Sequence, residues 1–261
     1  MTVFFHELKR DKLSLAIWTI ALSFLLGVCI IIYPEMTSQM EEFSDMFANM
    51  GAFTQAFGMD KLNFGEFIGY FGIECSNSIG IGASLFAALL GIGALCKEEK
   101  EHTADFLLSH PISRTKLITE KLLSVYFRIL ILNTIVICIS LACITLIGEN
   151  ADMGKIALIF LSHFLLQIEI ASITFGISAF LNGNGLGIGI GLPLGFYFLN
   201  IVSNLSDQTE FLKYITPFSY TDSSYIISEN KLQIKYLIFG LIFTLAAIGL
   251  AYKKYNSKDI T

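Results

Sequence analysis

The chain has 261 residues, 54% hydrophobic and only 15% charged, with a formal net charge of −5. Soluble domains carry about a quarter charged residues, so this composition excludes an ordinary soluble domain and points to an integral membrane protein. The charge changes sign from loop to loop, and no basic patch interleaved with aromatics marks a nucleic-acid partner.

Residues 1–12, MTVFFHELKRDK, mix Val3, Phe4, Phe5 and Leu8 with Lys9, Arg10 and Lys12. This predicts a short helix in the membrane interface, apolar side toward lipid and basic side toward head groups. A signal peptide is rejected, because the next apolar run is too long for an h-region and lacks a small-residue cleavage site. The first span is predicted over 13–33 and is ended by Pro34. Residues 35–66 form a long loop with Glu35, Glu41, Glu42, Asp45, Asp60 and Glu66 against Lys61. Its Met36, Met40, Phe43, Met46, Phe47 and Met50 recur at helical spacing, predicting an amphipathic outer helix whose methionines pack on neighbouring spans. The second span, 67–96, is longer than a bilayer requires and must tilt or project. It carries Glu74, then the small and polar Ser76, Asn77, Ser78, Gly80, Gly82 and Ser84, which let helices approach closely.

Residues 97–121, KEEKEHTADFLLSHPISRTKLITEK, are the densest charged stretch and stand between two apolar runs. Charge is costly in hydrocarbon, so the stretch lies in water or at the membrane surface. Thr103 is placed to cap a short helix over 104–108, with Phe106, Leu107 and Leu108 on its apolar side. His110-Pro111 breaks that helix, and Ser113 is placed to cap another that runs into the next span. Such a segment reads either as a helix built to be gripped by a partner or as an ordinary charged surface loop.

The third span is 122–147, with Arg128 one to two turns in, where its stem snorkels back to the nearer surface. Residues 148–155, GENADMGK, form a tight turn; their glycine spacing and Ile156 do not fit a phosphate-binding loop, so any ATP is bound elsewhere. The fourth span, 156–181, contains His163 and Glu169, and the fifth is 186–202. Gly183, Gly187, Gly191 and Gly195 recur every four residues, predicting a ridge for close helix packing, with a kink at Pro193. Residues 204–235 form a second long loop, with apolar pieces at 211–215 and 225–227 predicted as short helices dipping into the outer leaflet. The sixth span is 236–252, followed by a tail with Lys253, Lys254 and Lys258.

Intramembrane ionisable groups are functional candidates. Glu169 is the most central, and a pair with Arg128 is one expectation; Glu74 and His163 are expected nearer the outside, reaching water or loop partners. The five cysteines (Cys29, Cys75, Cys96, Cys138, Cys143) form no CxxC pair and read as small core hydrophobes. Lysine and arginine concentrate at the two ends of the chain and in 97–121. The positive-inside rule therefore places both termini and that stretch in the cytoplasm.

The chain resembles a permease of the type-2 ATP-binding-cassette exporter family, in its stand-alone six-span form. The resemblance rests on Glu98-Glu99, on Thr103 to Leu108, on Pro111-Ile112-Ser113-Arg114 and on Lys121 opening the third span. Thr216-Pro217-Phe218 resembles the family's segment before the last span, and residues 1–12 its elbow helix. The resemblance implies an all-α, single-domain permease that binds no cofactor directly. ATP and Mg would sit in a separate cytoplasmic ATPase, two copies serving two permease copies in a bacterial plasma membrane. Residues 97–113 would form the coupling helix. There Phe106 and Leu107 would enter a groove of the ATPase, with Glu98, Glu99, Asp105, Arg114 and Lys116 around them. The apolar, Met- and Phe-rich outer elements favour a hydrophobic or amphipathic cargo, a peptide or an antibiotic. Two other readings stay open. An ATPase-independent secondary transporter would use Glu169 and His163 as a proton relay, although no repeat of spans is evident. An intramembrane enzyme needs a catalytic cluster that the sequence does not contain.

Overall fold

In the computed structural model the described residues are 2–37, 51, 62, 65–100, 113–181, 183 and 185–257. Helix α1 (Thr2–Arg10) leads through Asp11 into α2 (Lys12–Thr37), the first span. Pro34 does not end α2, which continues one turn further; a proline near a helix end removes one backbone bond without displacing a long following segment. The second span is composite: α3 (Phe67–Cys75), a π-helical segment (Ser76–Ala83) and α4 (Ser84–Lys100). A π segment this long is unusual, and the spacing of small residues did not foretell it. The third span is α5 (Arg114–Ile147), the fourth α6 (Met153–Ser178) and the fifth α7 (Leu186–Leu205). Two 3₁₀ helices (Asp207–Tyr214 and Pro217–Thr221) and α8 (Ser223–Glu229) precede the sixth span, α9 (Ile234–Ser257). Six of these spans are long and apolar enough to cross a membrane, and no strand occurs among the described residues. The protein is an all-α membrane protein.

Local chemistry accounts for the boundaries. Ser113 accepts from the Lys116 amide and caps α5, as its place after Pro111 predicts. Gly148 ends α5 in the left-handed region, at φ 73°, and Asp152 caps α6 on the amides of Gly154 and Lys155.

The second and fourth spans are the most buried, and the fifth and sixth the least. Span one packs on span three, and span six on span four. Apolar surface gains nothing by leaving lipid, so these contacts rest on close packing and on hydrogen bonds. Gly91 on α4 illustrates the packing, since a Cβ there would collide with the Ala171 carbonyl and the Thr174 hydroxyl of α6. Outward faces of α2 and α9 carry exposed Leu13, Ile17, Ile20 and Phe24, and Ile238, Leu241, Ile242 and Leu245, as a lipid-facing surface requires.

The expected glycine ridge meets no neighbour among the described residues. Gly183, Gly187, Gly191 and Gly195 have no neighbour within 4 Å of a built Cβ. The glycines of this stretch that do pack are Gly185 and Gly189, which meet Ile92 of α4. Two positions along a helix turn the side chain by about 200°, so the ridge faces away from the span that Gly185 and Gly189 touch. Of the five free thiols, Cys138 is exposed and not a core residue; Cys75, Cys96 and Cys143 are buried. The expected outer methionine helix falls mostly outside the described residues; Met36 itself is half-buried against the core.

Candidate functional site

Four elements meet at one end of the bundle: α1, the C-terminal ends of α4 and α9, and the start of α5. We call this the basal end. Side chains of α5 hold all the others there. The Arg114 guanidinium donates from Nη1 to the carbonyls of Tyr255 and Asn256, both at 3.4 Å. A cation at the last carbonyls of α9 satisfies acceptors that the helix leaves open and complements its negative end. Thr119 Oγ1 lies 2.7 Å from the Tyr252 hydroxyl of the same helix. The Glu120 carboxylate accepts from the backbone amides of Val3 and Phe4, at 3.0 and 3.2 Å, closing the first turn of α1. Lys121 is fully buried; its Nζ donates to the Ala94 carbonyl of α4 at 2.7 Å and stands 3.6 Å from Glu7 Oε1 of α1. Glu7 Oε2 in turn accepts from Arg10 Nη2 at 2.8 Å. Arg128 Nη1 donates to Asp11 Oδ2 at 2.7 Å, while its Nε and Nη2 donate to the Ser124 carbonyl and hydroxyl.

This arrangement corrects one expectation. Arg128 does not pair with Glu169; it is committed to Asp11, at the joint between α1 and α2. Glu169 faces the other way. Its Oε2 accepts from the Tyr220 hydroxyl at 2.8 Å, and it packs against Gly240 of α9, where a Cβ would strike the carboxylate. The two side chains lie on different spans and are held by different partners, Tyr220 and Asp11, a separation that sequence distance does not reveal.

A second polar system runs through the middle of the bundle and centres on α6. Asn133 of α5 and Gln167 of α6 exchange reciprocal amide hydrogen bonds at 2.6 and 3.2 Å. The Tyr126 hydroxyl meets the Ser172 hydroxyl at 2.6 Å. His163 is fully buried, which corrects its expected place near water. Its Nδ1 is 2.8 Å from the Ile159 carbonyl. A carbonyl only accepts, so Nδ1 carries the proton and Nε2 is a bare acceptor in the neutral ring. Nε2 has no hydrogen-bond partner among the described residues. The ring lies on the π segment at Gly80, where a Cβ would be 3.4 Å from it. Glu74 is half-buried beside Cys29.

The segment 216–222 closes the far end. The Thr216 hydroxyl donates to the Phe196 carbonyl of α7 at 2.8 Å and accepts from the Phe218 amide. Phe218 stacks edge-on with Tyr197 at 5.5 Å between centroids. Asp222 caps α8 through the Ser224 amide, and Ser223 Oγ donates to the Gly72 carbonyl at 3.0 Å, close to Ser76 at the start of the π segment. Residues 217–221 are all buried, so short helices do form in this loop and sink into the bundle.

Several candidate residues lie elsewhere. Glu98 and Glu99 sit on the last turn of α4. Thr103, Asp105, Phe106, Leu107 and Pro111 lie outside the described residues. Arg114 and Lys116 open α5, with Lys116 exposed. Glu7, Asp11 and Glu120 were not expected to have a role, and no partner was expected for Lys121. A usable signal was present: Glu120 and Lys121 interrupt LIT and LLS, and charges that interrupt an apolar run are buried only if paired. Among the described residues, no group of three or more histidine, cysteine or acidic side chains could hold a metal.

The chain belongs to the ABC-2 transporter family: the family model described as ABC-2 family transporter protein matches residues 1–260. No match to a curated protein was found. Membership makes the chain a membrane permease of an ATP-binding-cassette transporter, a component without a nucleotide site of its own that works with an ATP-binding partner subunit.

Proposed function

We propose that the protein is the permease of a bacterial plasma-membrane exporter whose power stroke comes from a separate cytoplasmic ATPase. Two permeases pair with two ATPases, both permease termini are cytoplasmic, and ATP and Mg are held in the ATPase. Segment 97–113 is the coupling element. Phe106 and Leu107 fill an apolar groove on the ATPase, and Glu98, Glu99 and Asp105 set its orientation.

The observation that carries this reading is the basal cluster. Segment 101–112 joins α4 to α5, and α5 holds α1, α4 and α9 through Glu120, Lys121 and Arg114. A displacement of that segment therefore acts on several spans at once. Closure of the ATPase pair on ATP pulls this end, and the spans rearrange around the central α4–α6 contact to release cargo on the far side. The exposed apolar Phe211 and Ile215 in the loop at the far end support a hydrophobic or amphipathic cargo, a peptide or an antibiotic.

Burial of one large apolar side chain is worth roughly 1.5–3 kcal/mol, and such anchors dominate many interfaces. Phe106→Ala is therefore expected to weaken co-purification of the ATPase, or to uncouple ATP turnover from transport, while the permease still inserts. Pull-down and ATP turnover measured beside efflux of a panel of peptides and antibiotics test both halves. Unchanged binding and coupling in Phe106→Ala would remove this segment from the mechanism.

A further inference from the structure

We propose that Lys121 and Glu7 are positioning residues that lock α1 and the two helices carrying segment 101–112 into one moving body. The inference rests on the reading of the chain as an ATPase-driven permease, and it adds the part that transmits the motion.

The geometry is specific. Lys121 has no exposed surface and Glu7 is 2% exposed. The ammonium lies between an α4 carbonyl at 2.7 Å and an α1 carboxylate at 3.6 Å, while belonging itself to α5. Three separate elements therefore share one buried charge. Ala94 lies near the end of α4 and Lys121 near the start of α5, so the ammonium sets the spacing of the two stems from which segment 101–112 is suspended. Glu120, the adjacent residue, holds the first turn of the same α1 helix.

An ordinary packing contact lets helices slide. A desolvated ammonium held by a hydrogen bond to one helix and an ion pair to another does not, because separating the partners strands a charge in a medium that solvates it poorly. The same penalty makes such pairs poor sources of net stability, so replacing both partners together by uncharged groups of similar volume is often tolerated, whereas removing one alone is not. Stability and transmission are thereby separable at this site. Without the lock, a pull on segment 101–112 would spread α4 from α5 and leave α1 behind.

The test has two arms. In the first, the permease alone carries spin labels at Lys9 and Thr115, both exposed, with the native cysteines replaced by alanine. The wild-type pair should give one narrow distance distribution. Lys121→Met, Glu7→Gln and the double variant should broaden it, and Lys121→Arg should narrow it again. In the second, the same variants without labels are reconstituted with the ATPase, and ATP turnover is measured. KM for ATP and retention of the ATPase should stay within about twofold of wild type, while the permease-dependent part of kcat falls about tenfold, the scale of coupling within one ion-pair network. Lys121→Arg should recover most of that kcat.

An unchanged, narrow distance in both Lys121→Met and the double variant overturns the lock whatever the ATPase does. Loss of ATPase retention in the double variant, or a change in KM in place of kcat, also overturns it, because the pair would then serve docking. A wild-type permease that neither retains nor stimulates the ATPase overturns the functional reading instead, and the first arm still decides the lock.

Discussion

Tyr220→Phe is the sharpest probe of how the far end of the bundle is closed. The Tyr220 hydroxyl is the donor to Glu169 Oε2 at 2.8 Å, and the two residues are 2% and 4% exposed. Water cannot replace that donor in place. In soluble proteins a hydrogen bond to a charged group contributes about 1.5–3 kcal/mol. Bonds between membrane helices average about 0.6 kcal/mol and reach about 1.7, because the unfolded chain in lipid also finds partners. Tyr220 lies on a connecting segment and Glu169 inside a span, so the expected loss falls between these limits, about 1–2 kcal/mol. Glu169→Gln keeps an acceptor oxygen and should lose less. Thermal unfolding in detergent of both single variants and the double gives the coupling directly, expected at about 1 kcal/mol. Cysteine labelling at Ser224, buried in the closed segment, should accelerate in Tyr220→Phe. Additive single variants together with unchanged labelling would refute a closing role for this hydrogen bond.

Gly240→Ala should lower the melting temperature, since its Cβ meets the Glu169 carboxylate; overpacking of this kind is worth about 1–3 kcal/mol. Gly187→Ala and Gly191→Ala, with no neighbour within 4 Å, should stay within about 0.5 kcal/mol of wild type in the same melt. Asp11→Asn should destabilise the permease by leaving the Arg128 charge, 3% exposed, poorly compensated. Arg128→Met should recover part of that loss when combined with Asp11→Asn, but should show no coupling to Glu169→Gln; thermal double-mutant cycles decide both points. Impermeant maleimide applied outside cells should label cysteines at Gln208 and Glu210 but not at Lys9, Lys116 or Lys253. The reverse pattern would invert the proposed orientation and remove the ATPase from segment 97–113.

Sequence alone determined the class of this protein and the number of its spans. Twenty or so apolar residues have few ways to satisfy their backbone in lipid except as a helix, so each long apolar run became a span whatever its neighbours. Local caps were legible for the same reason: Ser113 acts on an amide three residues away and needs no tertiary context. The short helices around Thr216-Pro217 were legible too, because turn chemistry and apolar content are local. The partners of the charged groups were not. Glu169 on the adjacent span was the partner expected for Arg128, whereas the partner it takes, Asp11, lies 117 residues away, and only helix rotation decides between them. Rotation also turned the four-residue glycine ridge away from α4 and put Gly185 and Gly189 against Ile92. The π segment and the burial of Lys121 belong to the same class of fact. Each depends on how one helix face meets another, and in lipid, where apolarity no longer distinguishes inside from outside, that meeting is set by shape and by a few hydrogen bonds between residues far apart in the chain.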